Sequence, residues 1–198
     1  MKYCAKCVMP DTKPDLMFDA DGVCSACRGH EAKKTVNWGD RFQEFEDLVE
    51  WAQGERVKRN NTHDCIVPVS GGKDSHFQVY KALQHGLRPL LVSFEPSLPT
   101  EIGKRNLKNC QSMLAGCDLI QYRKNPHVYR RLCRLGFETV GDNEWPNHVG
   151  IFTVPVQVAV MTNIPLLIWG ENSQQEYGSP SEASANSRIL DKSWLHEF

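Results

Sequence analysis

The sequence predicts an α/β protein, a doubly wound and mostly parallel sheet preceded by a small cysteine-rich module. Three observations carry this. From Cys65 onward, short apolar runs alternate with helical periodicity, the pattern of parallel βαβ units with right-handed crossovers. A glycine-rich turn, Ser70 to Ser75, joins the first of those runs to the first of those helices. Residues 1–30 hold two CxxC pairs among Pro, Gly and Asp with few large aliphatic side chains, so that segment needs a staple other than apolar burial. The expected organisation is a module over 1–38, a helix and linker over 39–62, and the α/β domain over 63–198.

Taken in order, Asp40 starts a helix, with Gln43 three residues on as in a capping box. Phe42, Phe45, Leu48, Val49 and Ala52 fall on one face of it. Gly54 to His63 is polar and reads as a linker. Cys65 to Val69 is a strand whose end Pro68 makes irregular, because proline removes a ladder donor. A helix from about Ser75 to His85 closes at Gly86. Pro89 to Phe94 is a strand. Thr100 to Ala115 is a helix with Ile102, Leu107, Cys110, Met113 and Leu114 inward. Asp118 to Tyr122 is a strand and Pro126 to Leu135 a helix. Thr153 to Met161 is a helix with Pro155 in its first turn. Ile164 to Trp169 is the last strand, bounded by Gly170.

At 198 residues the chain is long enough for one ordinary core, or a core with a satellite. An apolar fraction of 40% argues against disorder. A formal charge of −1 leaves no global field to draw the chain onto nucleic acid or anionic lipid, so neither is an expected partner. The longest apolar run, Val149 to Trp169, is broken by Pro155, Gln157, Thr162, Asn163 and Pro165, which argues against a membrane span. The polar start, Met1-Lys2-Tyr3-Cys4, does not read as a secretory signal, so a cytoplasmic, reducing setting is expected. There the eight cysteines read as metal ligands or buried thiols rather than disulfides.

Cys4-x-x-Cys7 and Cys24-x-x-Cys27 are separated by sixteen residues. Each pair lets two thiolates converge on one ion from a tight turn, and two such knuckles complete a tetrahedral shell, the arrangement of structural Zn²⁺. Redox dithiols and an iron–sulfur site are the alternatives. Cys65, Cys110, Cys117 and Cys133 lack this spacing and read as buried thiols.

Ser70-Gly71-Gly72-Lys73-Asp74-Ser75 lies between a strand and a helix. Its glycines let backbone amides approach a ligand, and the helix N-terminus favours an anion. Lys73 adds a cation, Ser70 and Ser75 add hydroxyl donors, and Asp74 can cap the helix or hold Mg²⁺. The run is too short for a Walker loop. It resembles the PP-loop of the ATP pyrophosphatases, which implies binding of ATP at Ser70 to Ser75, release of pyrophosphate, and transfer of AMP to a substrate oxygen. Ser93 and Phe94 follow the second strand, where relatives in that superfamily cradle adenine.

A more specific resemblance covers nearly the whole chain. Tyr3-Cys4, Cys7, Pro10-Asp11-Thr12, Phe18, Asp21-Gly22-Val23-Cys24, Cys27 and the 70–75 loop are similar to the N-acetyl sugar amidotransferase family. So are Gly150-Ile151-Phe152, Pro155, Ile164-Pro165, Trp169-Gly170-Glu171-Asn172 and Glu176-Tyr177-Gly178. The resemblance implies conversion of a sugar acetamido group to an acetamidino group in surface-polysaccharide or glycan assembly. It implies ammonia from a glutaminase partner subunit, with a cyclase-like subunit between them. No cysteine here has the context of a glutaminase nucleophile, which agrees with a separate source. The chain is shorter than members of that family, so a form truncated at the C-terminal end is expected.

Catalytic roles are expected for Lys73, Asp74 and Glu171. Glu171, Asn172 and Glu176 follow a buried strand, where carboxyl ends line the ligand crevice of an open sheet. They are read as contacts for Mg²⁺, sugar hydroxyls or ammonia, or else as a solvated loop. With Tyr177, Gly150 and His148 they make the expected substrate side, although a lone histidine such as His148 also reads as structural. The basic residues Lys104, Arg105, Lys108, Arg123, Lys124, Arg130 and Arg131 read as solvated surface. Two other readings stand beside this one: a tRNA thiolation enzyme with the same loop, and a non-catalytic nucleotide-binding partner.

Overall fold

The structure is a computed structural model that describes residues 1–13, 16–96, 98–113 and 116–171. The chain divides into two compact units, one containing Met1–Gly39 and the other Asp40–Gly170.

In the first unit two short turns are each closed by an antiparallel bridge, Tyr3↔Pro10 in one and Phe18↔Cys24 in the other, and the Ala5 amide joins them by donating to the Gly22 carbonyl at 3.0 Å. Helix α1, Ser25–Ala32, follows, and a single 3-10 turn, Lys33–Thr35, closes it. Cys4, Leu16 and Cys24 are its buried apolar residues, with Met9, Phe18, Val23, Ala26 and Cys27 packed around them. Among the described residues this core is one aliphatic and two thiols, too little apolar burial to offset the entropy of ordering such a segment.

Helix α2, Trp38–Lys58, leads into the second unit. It starts two residues earlier than expected because Asn37 caps it, accepting from the Gly39 amide at 3.0 Å. Gln43 takes no part in a capping box and instead donates to Asp47 at 2.9 Å. Val49 and Ala52 are buried and Phe45 packs beside them, but Phe42 and Leu48 are exposed. The stretch from Gly54, expected as a linker, stays helical to Lys58. Past that helix end, buried Asp64 accepts from Arg56 at 2.8 Å and from the Arg88 amide at 2.7 Å. Asn61 donates to the Thr162 carbonyl at 2.8 Å.

Three parallel strands follow: β1, Cys65–Pro68; β2, Pro89–Phe94; and β3, Asp118–Tyr122, in the order β1-β2-β3. Between them run α3, Lys73–Gln84, and α4, Glu101–Gln111, and after them α5, Pro126–Val140, and α6, Trp145–Thr162. Beyond α6 the expected fourth strand is reduced to one parallel bridge, Ile66↔Leu167, on the free side of β1. It is fixed by the Ile66 amide donating to Leu166 and the Ile168 amide to Ile66, at 2.8 and 2.9 Å.

Helices cover both faces of the sheet. Cys65, Val67 and Leu91 point to one face and pack with Val49, Ala52, Val79, Ala82, Leu107 and Cys110 from α2, α3 and α4. Ile66, Leu90 and Val92 point to the other, against Val154, Val158, Ala159 and Ile164. This alternation is the period-two pattern of a strand buried on both faces.

Several helix bounds differ from expectation for local reasons. α3 begins at Lys73, since Gly72 is its N-cap. In α4, Ile102 is exposed, while Leu114 lies outside the described residues. α5 continues past Leu135 through buried Gly136, where a Cβ would lie 2.7 Å from the Asp142 carbonyl, and ends at left-handed Gly141. α6 begins at Trp145, so Pro146 occupies the first turn and Pro155 sits buried in the helix interior. No helix among the described residues is long and apolar enough to cross a membrane.

Candidate functional site

The four cysteines of the first unit converge. Their Sγ atoms all lie within 4.8 Å of one another. Cys7 and Cys24 are 3.6 Å apart and Cys4 and Cys27 4.0 Å, too far for a disulfide. A tetrahedral shell at the usual zinc–sulfur distance places sulfurs roughly 3.8 Å apart, so the group fits a structural metal such as zinc. The amides of Cys24 and Lys6 donate to Cys4 Sγ at 3.3 and 3.4 Å, the pattern that supports a thiolate ligand. Burial pushes the Cys4 thiol up, but amide donors from Cys24, Cys7 and Lys6 outweigh it and bring it down to about 6. Burial and the neighbouring sulfurs push Cys27 up to about 12. Metal binding at such a group displaces thiol protons, so its affinity falls as pH falls.

In the second unit, the 70–75 segment curls at the carboxyl end of β1. The Val69 amide donates to Val92 at 2.9 Å, extending the ladder to the loop. Gly71 has φ +85°, closed to most side chains, and a Cβ there would lie 2.9 Å from the Leu107 amide of α4. The Ser70 amide donates to Ser75 Oγ at 3.0 Å, and the two hydroxyls are 3.3 Å apart, which closes the turn. Lys73 and Asp74 stand exposed in the first turn of α3, the end of a helix that favours an anion. Lys73 Nζ donates to both carboxylate oxygens of Asp74 at 2.7 and 2.8 Å.

A cavity of about 410 Å³ opens beside this loop, lined by Ser70, Glu95, Thr100, Lys104, Leu107 and Gln121 among others. Ser93 is paired with Gln121 across the β2–β3 ladder and so points to the same face. Ser93 is 1% exposed and its Oγ has no partner among the described residues. A buried hydroxyl of this kind calls for a ligand or an ordered water. Lys104, Lys108 and Arg123, expected to be plain surface, line the cavity, and Arg123 pairs with Glu95 at 2.8 Å. No signal in the sequence separates them from other surface cations.

Phe94 points to the opposite face. It stacks on Tyr122, ring centroids 5.6 Å apart, and reaches α6 at Gly150, where a Cβ would lie 2.4 Å from its ring. Lys124, also expected as solvated surface, lies 4.4 Å from the Phe94 ring centroid and 3.7 Å from that of Tyr129, and burial pulls its ammonium below the ordinary range. His148 stands exposed in the first turn of α6, 3.6 Å from Asp142. Glu171 is exposed. Asn172, Glu176 and Tyr177 lie outside the described residues.

Ser70 to Ser75 thus form one tight turn and Ser93 lies on the same face of the sheet as the cavity wall, whereas Phe94 and Gly150 meet on the far face. Cys65, Cys110 and Cys117 pack in one apolar cluster but form no second metal-ligating group among the described residues. Cys65 and Cys110 are buried, and burial pushes them to about 12 and about 11. The chain matches no protein-family model and none of the curated proteins compared with it.

Proposed function

We propose that the chain binds Mg·ATP on the 70–75 loop and transfers AMP to the acetamido oxygen of an N-acetyl sugar, from which ammonia displaces it. The observation that carries this is the tight, glycine-dependent turn at the N-terminus of α3, with a cavity and an unpaired buried hydroxyl beside it. The topology supports it. β2 lies on one side of β1 and the Leu167 segment on the other, so the loop sits where strand order reverses, the usual place for a ligand in an open α/β sheet. This also favours the doubly wound PP-loop fold over other three-stranded arrangements.

In this reading the acetamido oxygen attacks the α-phosphorus, pyrophosphate leaves, and an O-adenylyl imidate forms. Ammonia adds to its carbon, and AMP leaves with the C–O bonding pair, giving the acetamidino sugar. Loop amides and Lys73 stabilise charge developing on the phosphates, and Asp74 is freed from Lys73 to hold Mg²⁺. Adenosine occupies the cavity, where Ser93 Oγ gains a partner. Zinc in the cysteine cluster is structural. Buried, raised thiols suit neither sulfur transfer nor a glutaminase, which favours amidation over tRNA thiolation and leaves ammonia to a glutaminase subunit. Cytoplasmic residence belongs to the same reading.

The test supplies Mg·ATP, ammonium and a panel of acetamido sugars, and looks for AMP and a product about one mass unit lighter, as expected when =O becomes =NH. Lys73→Ala lowers AMP release by about a hundredfold or more. A Lys73→Ala chain that forms AMP at the parent rate removes the assignment, and salt-sensitive tRNA binding would favour the thiolation reading instead.

A further inference from the structure

Gln78 lies on α3 four residues after Asp74, on the same helix face. The Nε2 end of its carboxamide abuts Gly170, where a Cβ would lie 1.5 Å from Nε2 and 2.6 Å from Cδ. No residue with a side chain fits at 170 while Gln78 holds this position. The other end of the amide, Oε1, is buried and has no hydrogen-bond partner among the described residues. A buried carbonyl left unpaired is costly, and such groups mark places where something else completes the site. Gly170 follows the segment that Leu167 bridges to β1, so this acceptor lies on the opposite side of β1 from the cavity beside β2 and β3.

We infer that Gln78 sets specificity for the second substrate, its carboxamide oxygen accepting the N–H of the acetamido group to be adenylated. This rests on the adenylation reading. Triphosphate oxygens only accept hydrogen bonds, so the phosphates cannot satisfy Oε1, whereas a secondary amide offers one N–H in a fixed direction. A site with a buried acceptor also rejects an analogue that lacks the donor. Nothing in the sequence alone singles out Gln78; its contact with Gly170 does.

The test uses the full chain with Mg·ATP, ammonium, free and UDP-linked 2-acetamido sugars, and the matching 2-acetoxy analogues as competitive inhibitors. Gln78→Met keeps the side-chain length and removes the acceptor. The expected result is a KM for the acetamido sugar raised about tenfold, with the KM for ATP unchanged and the melting temperature equal or higher. The parent's preference for acetamido over acetoxy, about tenfold or more, falls to near unity. Gly170→Ala displaces the carboxamide and gives the same loss, and the double variant loses no more than either single one. An unchanged acetamido KM, a retained preference, or an equal rise in both KM values with a lower melting temperature overturns the inference while leaving adenylation intact. A parent chain that releases no AMP with any acetamido sugar overturns both.

Discussion

The two units are stabilised by different physics. Among the described residues of Met1–Gly39, Leu16, Cys4 and Cys24 are the buried apolar ones, and four sulfur atoms converge there. Asp40–Gly170 buries aliphatic side chains on both faces of a parallel sheet. A segment of about forty residues cannot bury enough apolar surface to fold on that alone, whereas one of about 130 can. One part has a four-sulfur group that could hold a structural metal and the other has close packing, so the two parts should fail under different insults.

Metal removal gives the largest effect. Structural zinc sites of this kind have apparent binding free energies of roughly 10–16 kcal/mol at neutral pH. Chelation, or Cys24→Ser, is expected to abolish amide hydrogen-exchange protection over residues 3–30 while β1, β2 and β3 keep theirs. Loss of protection in both units at the same chelator concentration would mean that the sheet depends on the metal as well. The converse is Leu91→Ala. Leu91 is fully buried in the central strand, and such truncations cost about 2–5 kcal/mol. Its denaturant midpoint should fall accordingly while the metal content per chain, measured by elemental mass spectrometry, stays constant.

Gly150→Ala is smaller and sharpens the account of the packed unit. The added methyl would meet the Phe94 ring at 2.4 Å, and overpacking of this kind costs about 1–3 kcal/mol. The thermal midpoint should drop, and Phe94→Leu in the same chain should recover part of the loss by making room. If Gly150→Ala leaves stability untouched but raises the KM for the acetamido sugar, Gly150 acts on substrate and not through Phe94.

Much of this was legible in the sequence, for reasons that differ by region. The cysteine quartet is readable because thiolate geometry fixes ligand spacing locally, within each CxxC turn. β2 and β3 were readable to the residue because β-rich apolar runs are bounded by turn chemistry. The loop was readable because its strand–glycine–helix context is short-range. What failed was long-range. Gly136 and Gly150 look like helix breakers, yet each is required by a neighbour distant in sequence, the Asp142 carbonyl or the Phe94 ring. Pro155 looked like a helix start because nothing local says that Pro146 already fills that position. Leu48 and Ile102 fit the apolar face by period but find no partner there, since tertiary contacts choose which part of an apolar stripe is covered. On the site, Gln78 and the cations of the cavity wall are ordinary surface letters until the fold places them.

The smallest predicted effect separates the two units by pH. Glu31, near the end of α1, accepts from Lys34 at 2.7 Å and from Lys6 of the first cysteine turn. The Lys34 and Lys6 ammonium groups hold its carboxyl down to about 2, below the ordinary 4.5. A carboxyl with a lowered folded-state pKa contributes stability that is fully present above 4.5 and is lost as pH falls from there towards 2. The pairs are exposed, so that contribution is small and salt screens it. A carboxyl-carbon titration at low salt should place the Glu31 midpoint near 2 as long as the first unit stays folded, and molar salt should move it upward. Acid also protonates the thiolates that any metal needs, and a collapsed module leaves Glu31 without Lys6. A Glu31 midpoint at the ordinary value, in a chain whose β1–β3 amides remain protected, would therefore mean that the sulfur-held unit lets go first and the packed unit outlasts it.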